Sequence, residues 1–261
     1  MIGEGLVRFA DKTLVIAELE ARKLRHDPTE LVTRAIQPAL WLLVFGEVFT
    51  RTHAIPTGGL PYIDFMAPGI LAQSVLFIAI FYGIAIIWER DLGIVHKLLA
   101  TPTPRAALVL GKALSAGLRG LSQALIVYAL AVVLAVRINW SPLALIGVLL
   151  TVLLGSALFS TLSLLIAAVV KTRERFMGIG QVLTMPLFFA SNAIYPLDIM
   201  PRWLQVIAHA NPLTYEVDAL RALMLIGGTS TYGLLVDFTV LVAALSLLVI
   251  LGARLYPRVV N

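Results

Sequence analysis

The side chains of this sequence that could carry out chemistry are few and far apart. Its four histidines are His26, His53, His96 and His209, and it contains no cysteine. A zinc site needs closely spaced His, Cys or acidic ligands, and neither a His-Glu-x-x-His motif nor a Cys/His cluster is present. No serine stands in a Gly-x-Ser-x-Gly motif. The sequence therefore predicts no catalytic residue and no metal site.

The sequence also predicts no nucleotide site. Gly111-Lys112 is similar to the end of a phosphate-binding loop, but the Walker motif requires Gly at position 106 and Ser or Thr at position 113, and both are Ala. We therefore expect this chain to bind no cofactor. If it performs active transport, the energy must come from an ion gradient or from another polypeptide.

The composition indicates a membrane protein. Apolar residues make up 59% of the 261 residues, charged residues only 13%, and the mean hydropathy is +0.93. A soluble domain carries about 25% charged residues. The charged first 30 residues lack the apolar region of a cleavable signal peptide. The net charge of +5 does not suggest a nucleic-acid partner.

Six apolar runs predict six transmembrane helices, each of which needs about 20 residues to cross the hydrocarbon core. These spans are residues 31–49, 66–88, 106–136, 142–170, 177–194 and 232–251. The fold class is therefore an all-α polytopic membrane protein, in which residues 1–261 form one domain and residues 31–251 hold the six spans.

The segments outside the spans are expected to lie at the membrane surface. Residues 1–30 are predicted to form an interfacial helix, with a solvated helix as the alternative. Residues 195–230 are too polar and broken for another span and predict a pair of short re-entrant or surface-lying helices between spans 5 and 6. Residues 252–261 form a tail.

The distribution of Lys and Arg predicts the orientation. With the N-terminus in the cytoplasm, sixteen of the 20 basic residues fall inside and only Arg51, Arg137, Arg202 and Arg221 fall outside. This is a strong positive-inside bias. Both termini are then cytoplasmic, and the broken region 195–230 is extracellular.

The polar segment 89–112 lies between spans 2 and 3 and is predicted to be cytoplasmic. Ile94, Val95, Leu98 and Leu99 recur at helical spacing, and Thr101-Pro-Thr-Pro would end such a helix. A short helix held between two spans could pass force from a soluble partner into the membrane. An ordinary cytoplasmic loop that lies on lipid headgroups is the alternative.

Three cations on the third span share one helix face, because Arg105, Lys112 and Arg119 are spaced by seven residues. Each would cost about 2.5–3.5 kcal/mol in hydrocarbon on the insertion scale. The lower part of this helix is therefore expected to project into the cytoplasm or to line a wet cavity. The three cations would contact lipid headgroups or, alternatively, form a basic wall that attracts an anionic lipid head.

Few acids are expected inside the membrane, since Glu47 and Asp237 lie near the ends of their spans. In region 195–230, Glu216, Asp218 and Arg221 lie off an apolar stripe, and the spacing of Asp218 and Arg221 suits a weak ion pair. Ion-coupled carriers usually place acids near the membrane midplane. The pattern therefore favours an external motor.

Several motifs together carry a resemblance to a known family. They are Met66-Ala-Pro-Gly-Ile, Glu89-Arg-Asp-Leu-Gly with Lys97-Leu-Leu-Ala-Thr-Pro, Leu108-Val-Leu-Gly-Lys, and Asn211-Pro-Leu-Thr-Tyr with Asp218-Ala-Leu-Arg. From about residue 10 to residue 257, the chain resembles the ABC-2-type exporter permeases, which include the membrane subunits of daunorubicin-resistance and nodulation-factor exporters. The resemblance implies the same interfacial helix, six spans and re-entrant pair in a bacterial plasma (inner) membrane.

The resemblance also implies partners and roles. Two permease copies would form a homodimer among membrane lipids and bind two separate ATP-binding-cassette subunits, which hold the ATP and Mg. In that family the cytoplasmic segment after span 2 is the coupling helix that docks into the ATPase. Carried over, this role falls on Glu89, Arg90, Gly93, Lys97, Leu98, Thr101 and Pro102.

The resemblance implies export of an amphiphilic cargo, such as a drug, a lipid, a lipo-oligosaccharide or a lipid-linked glycan. Its path would follow a dimer seam of spans 1, 2 and 5, lined by Phe77, Phe81, Phe188 and Phe189. Plain helix packing is the alternative role for these rings. Two other functions stay open: an ion-coupled secondary carrier of a small amphiphile, and a membrane enzyme that acts on lipids.

Overall fold

The computed structural model describes residues 36–53, 55–93, 105–170 and 172–255. Residues 36–52 are helical and include a π-helical turn, Trp41–Gly46, and a first α-helix, α1, Glu47–Thr52. The predicted interfacial helix (residues 1–30), the start of span 1, the helix predicted from Ile94 to Leu99 and the end of the predicted tail lie outside the described residues.

The other helices follow in a simple order, and within the described residues no strand forms apart from one isolated bridge between Ile138 and Leu225. They are α2 (Tyr62–Phe81), α3 (Gly83–Asp91), α4 (Arg105–Val133), α5 (Pro142–Val169), α6 (Arg173–Phe189), a 3₁₀ turn (Leu197–Ile199), α7 (Arg202–Ala210), α8 (Pro212–Met224) and α9 (Leu234–Leu255).

Four described helical segments are long and apolar enough to cross a membrane: Tyr62–Asp91, Gly111–Val133, Pro142–Val169 and Leu234–Arg254. The first combines α2 with α3, which meet at Tyr82. The expectation of a helical membrane protein is confirmed by these segments. The helices α6, α7 and α8 have 17, 9 and 13 residues, so α7 and α8 are too short to span.

Local sequence signals explain several helix starts. Ser141 caps α5 by accepting the N–H of Ala144 at 3.3 Å, and Pro142 occupies the first helical position. Asn211 caps α8 in the same manner at Leu213, while its amide donates to the carbonyls of Leu187 and Ala190. The start of α8 is therefore fixed against the end of α6.

Helix α2 lies at the centre of the bundle and is buried along almost its whole length. A methyl group at Gly69 would overlap the backbone of Ala193, so only glycine lets the chain after α6 approach α2 this closely. On α5, Gly155 and Ser156 face α8 and α4 respectively. Small residues thus set the spacing of the central helices.

The loop between α4 and α5 is joined to the end of α8. The N–H of Asn139 donates to the Met224 carbonyl at 2.8 Å, and the N–H of Ile226 donates to the Arg137 carbonyl at 2.9 Å. Arg137 also donates to Asp64 of α2 at 2.8 Å. These contacts link three helices at one end of the bundle.

Candidate functional site

The candidate site lies where α3 ends, because the motif residues Glu89, Arg90 and Gly93 are grouped there. Leu92 closes the helix, and Gly93 adopts a φ of 71° with its N–H donating to the Arg90 carbonyl at 2.9 Å. No atom lies within 4 Å of the position that a Cβ would take at Gly93. The glycine is therefore required by its left-handed backbone and not by lack of space.

A buried ion pair connects this end of α3 to α4. Lys112 Nζ lies 2.5 Å from Glu89 Oε2, and the two side chains are only 4% and 9% exposed. A charge-assisted hydrogen bond of this kind is roughly twice as strong as a neutral one. It joins Glu89, to which the family resemblance gives a predicted coupling role, with Lys112, which is predicted to contact headgroups.

The face of α4 that carries Lys112 and Arg119 is turned toward α2 and α3. Arg119 places its guanidinium carbon 5.0 Å from the centre of the Tyr82 ring, and the Tyr82 hydroxyl lies 2.8 Å from Ser115 Oγ. Headgroup contact stays a prediction for Arg105, Lys112 and Arg119. For Lys112 it would require the pair with Glu89 to open, and the side chain of Arg105 lies outside the described residues.

A second contact, which we call the Arg173 clasp, connects α3 to the start of α6. The guanidinium carbon of Arg173 lies 3.4 Å from the centre of the Trp88 ring, and its Nη2 donates to Asp91 at 3.1 Å. Asp91 also accepts from Arg90 at 3.0 and 3.2 Å. In the sequence Arg173 is only one member of a basic cluster, Lys171-Thr-Arg-Glu-Arg, because its partners lie 82 and 85 residues earlier.

The four phenylalanines of the predicted cargo path form two pairs. The rings of Phe77 and Phe81 on α2 lie 6.1 Å apart, and those of Phe188 and Phe189 on α6 lie 5.4 Å apart. Phe188 is fully buried against Trp41, whereas Phe189 is 43% exposed. The cargo path stays a prediction, since packing accounts for Phe188.

The expectation that few acids lie in the interior is wrong. Buried carboxyl groups are present at Asp64, Glu89, Glu216, Asp218 and Asp237. The helical pattern of α8 predicts one apolar stripe, yet the helix is surrounded by α2, α5 and α9 and buries its polar residues as well. Its sequence alone could not show this, because a hydrophobic stripe marks only the face that is certain to be buried.

A network around Asp218 closes the opposite end of the bundle. Asp218 accepts five hydrogen bonds, which come from the side chains of Asn192, Ser230 and Thr231 and from the backbone of Thr231 and Tyr232. The predicted ion pair with Arg221 is long, at 3.9 Å. Burial raises the pKa of Tyr232 to about 12, and the neighbouring Tyr215 and Asp218 contribute to the same shift. The phenol therefore stays neutral.

Comparisons with known proteins cover most of the chain. The sequence pattern of the family described as ABC-2 type transporter matches residues 12–225. A putative transport permease ycf38 of Cyanophora paradoxa is 28% identical over 82% of this chain and 74% of its own length. The daunorubicin resistance ABC transporter permease protein DrrB1 of Streptomyces coeruleorubidus is 26% identical over 77% and 70%. The inner membrane transport permease YadH of Escherichia coli K12 is 26% identical over 80% and 82%.

Proposed function

Since the chain belongs to the ABC-2 type transporter family, we propose that it is the membrane subunit of an ATP-driven exporter. It moves an amphiphilic cargo outward or between leaflets, as a homodimer that binds two ATPase subunits. ATP and Mg are held by those partners, and this chain catalyses no reaction. The proposed cargo is a drug, a lipid, a lipo-oligosaccharide or a lipid-linked glycan, and the name of the relative DrrB1, a permease of daunorubicin resistance, supports the first of these.

The observation that carries this proposal is the double attachment of the end of α3. The Glu89–Lys112 pair ties it to α4, and the Arg173 clasp ties it to α6. A push on residues 94–104 from a docked ATPase would therefore move three helices together. Glu89, Arg90 and Gly93 act at the start of this coupling segment. The proposed docking residues Lys97, Leu98, Thr101 and Pro102 lie outside the described residues.

We further propose the layout of six spans with both termini in the cytoplasm of a bacterial inner membrane. In this layout α7 and α8 form a re-entrant pair that enters from the outside. Their short length supports this, and so does the position of their junction, where Asn211 donates to carbonyls at the end of α6. Satisfied backbone groups of this kind allow a broken helix to lie at membrane depth.

The Arg173→Ala variant tests the coupling path. A cation–π contact is worth about 0.5–1 kcal/mol, and a half-exposed ion pair adds less than about 1 kcal/mol. We expect stimulation of the partner ATPase by the permease to fall by about threefold to tenfold, while the permease still folds and co-purifies. Arg175→Ala is the matched control, because Arg175 is exposed and belongs to the same basic cluster. Equal stimulation in both variants would contradict the path.

The Gly93→Ala variant tests the joint that leads into the coupling segment. A left-handed backbone costs a residue with a Cβ roughly 1–2 kcal/mol. We expect the joint to rearrange, and ATPase stimulation to fall, with little loss of thermal stability because the space around Gly93 is open. Gly93→Asn is the control, since Asn tolerates this conformation best among residues with side chains. Stimulation that falls equally in both variants would show that the backbone angle is not the cause.

An ion-coupled secondary carrier is the second candidate, and the fully buried Glu216 favours it. Reconstitution separates the two functions. The purified chain alone in liposomes with an ion gradient should move no dye-labelled lipid, whereas the complex with its ATPase subunits should do so when ATP is present. Transport by the chain alone would support the carrier.

A further inference from the structure

Glu216 has an environment unlike that of the other acids described here. It lies on α8, is fully buried, and neither carboxyl oxygen has a hydrogen-bond partner among the described residues. The carboxyl group packs directly on Gly155 of α5, where a methyl group would overlap both of its oxygens. The contact places a bare carboxyl group on a helix that carries no charged residue.

Among the described residues, no counter-charge reaches Glu216 from the helices packed around α8. On α2 the acid is Asp64, which is held by Arg137 at 2.8 Å. On α9 the Asp237 carboxyl accepts from Ser230 at 2.7 Å, and Arg254 lies in the last turn, far from the start of the helix. The remaining charged or titratable groups are exposed or engaged elsewhere: Arg202 and His209 on α7, and Asp218 and Arg221 on α8 itself.

The position along α5 shows how deep this carboxyl lies. Gly155 follows the first residue of α5, Pro142, by 13 positions, which corresponds to roughly 20 Å along the helix axis. Glu216 therefore sits near the middle of a span. An unpaired carboxylate at such a place costs far more than the neutral acid, so the group keeps a proton.

We propose that Glu216 is a proton-binding site, which is occupied while α8 packs on α5 and is emptied to the outer side when the two helices separate. In the release step the O–H bond of the carboxyl breaks, the proton passes to water, and the carboxylate becomes hydrated. The outer side is favoured because α8 runs from Glu216 toward the Asp218 network and ends at the loop between α4 and α5. The occupied site stands on the geometry alone, whereas its linkage to the transport cycle rests on the proposed function.

Asp218, two residues further along α8, provides the internal contrast. It is as fully buried as Glu216, yet its carboxyl group accepts five hydrogen bonds. Burial alone therefore does not define the site. The absence of donors and cations around Glu216, within the part of the chain described, is what distinguishes it.

Infrared spectroscopy of the purified full chain in lipid tests the occupied site. We expect a protonated-carboxyl C=O band that persists from about pH 5 to about pH 9, a range in which exposed Glu is ionised, and that is lost in Glu216→Gln. Glu47→Gln is the matched control, because Glu47 pairs with Arg51 on an exposed helix face and should leave the band unchanged. If Glu216→Gln removes no protonated-carboxyl band from the spectrum, the proposal is overturned.

The linkage to the cycle is tested on the complex with its ATPase subunits, by infrared difference spectra after addition of a non-hydrolysable ATP analogue. Loss of the Glu216 band with a gain of carboxylate absorption supports release of the proton. A band that is present but does not change with nucleotide overturns the linkage and leaves the site standing. If the complex does not form, the result counts against the proposed function. It does not count against the proton site, because the infrared measurement on the chain alone needs no ATPase.

Discussion

Lys112→Ala is expected to destabilise the chain by about 3–5 kcal/mol, the range found when one partner of a buried ion pair is removed. The cause is the carboxylate of Glu89, which is 7% exposed as a residue and would lose the cation 2.5 Å away. Thermal unfolding of the purified protein in detergent, followed by tryptophan fluorescence, measures the loss. We expect the variant to unfold at a clearly lower temperature than the native chain.

A double variant separates the effect of one unpaired buried charge from the effect of losing the ion pair as a whole. Glu89→Gln with Lys112→Met replaces both charges by groups of similar size, and such replacements of buried pairs are often neutral or stabilising. Removal of an exposed pair through Arg51→Ala is the control, because its partners are 78% and 52% exposed and it should change stability by less than about 1 kcal/mol. If Lys112→Ala were as mild as Arg51→Ala, the ion pair would not be buried in the folded protein.

Asp218→Ala is expected to release the connection between α8 and α9. The change removes the acceptor of five hydrogen bonds and leaves the buried guanidinium of Arg221 without its nearby carboxylate. The bond from Asn192 is buried and the other four are part-buried, so water can replace some of them. Each donor that stays unsatisfied costs about 1–3 kcal/mol, and we expect a loss of stability of the same order as that of Lys112→Ala. Hydrogen exchange should increase strongly over residues 226–233.

Asp198→Ala serves as the control for that experiment. Asp198 lies in the 3₁₀ turn outside the network, and it is exposed. The same loss of one acid there should leave exchange at residues 226–233 unchanged. Protection that persists in Asp218→Ala would mean that the turn is ordered by its backbone and not by this carboxylate.

The sequence predicts the long apolar helices well and the polar contacts between them poorly. The expected span 142–170 corresponds to α5 (Pro142–Val169), and the expected span 232–251 corresponds to α9 (Leu234–Leu255). Both are long apolar runs, and Ser141 with Pro142 also marks the start of α5. The second span is less simple, because the helix starts four residues before Met66 and is divided at Tyr82.

The side-chain partnerships lie beyond any local pattern. Glu89 and Lys112 are 23 residues apart, and Arg173 reaches a tryptophan 85 residues earlier. Their pairing depends on how three helices pack, which hydrophobic periodicity does not specify. The burial of Glu216 is likewise beyond any local pattern. The sequence shows a polar residue off the apolar stripe, whereas its burial results from the packing of α2, α5 and α9 around α8.

The backbone pairing between the loop after α4 and the end of α8, with the Arg137–Asp64 contact beside it, has a consequence for how the permease can change shape. Main-chain bonds of this kind cannot stretch or slide without breaking. These bonds therefore hold the outer rims of α2, α4 and α8 together, whereas none of them is made by a residue of α5. In the proposed dimer, the two copies would then open by tilting about the outer rim, with the largest displacement at the ends nearest the proposed ATPase subunits.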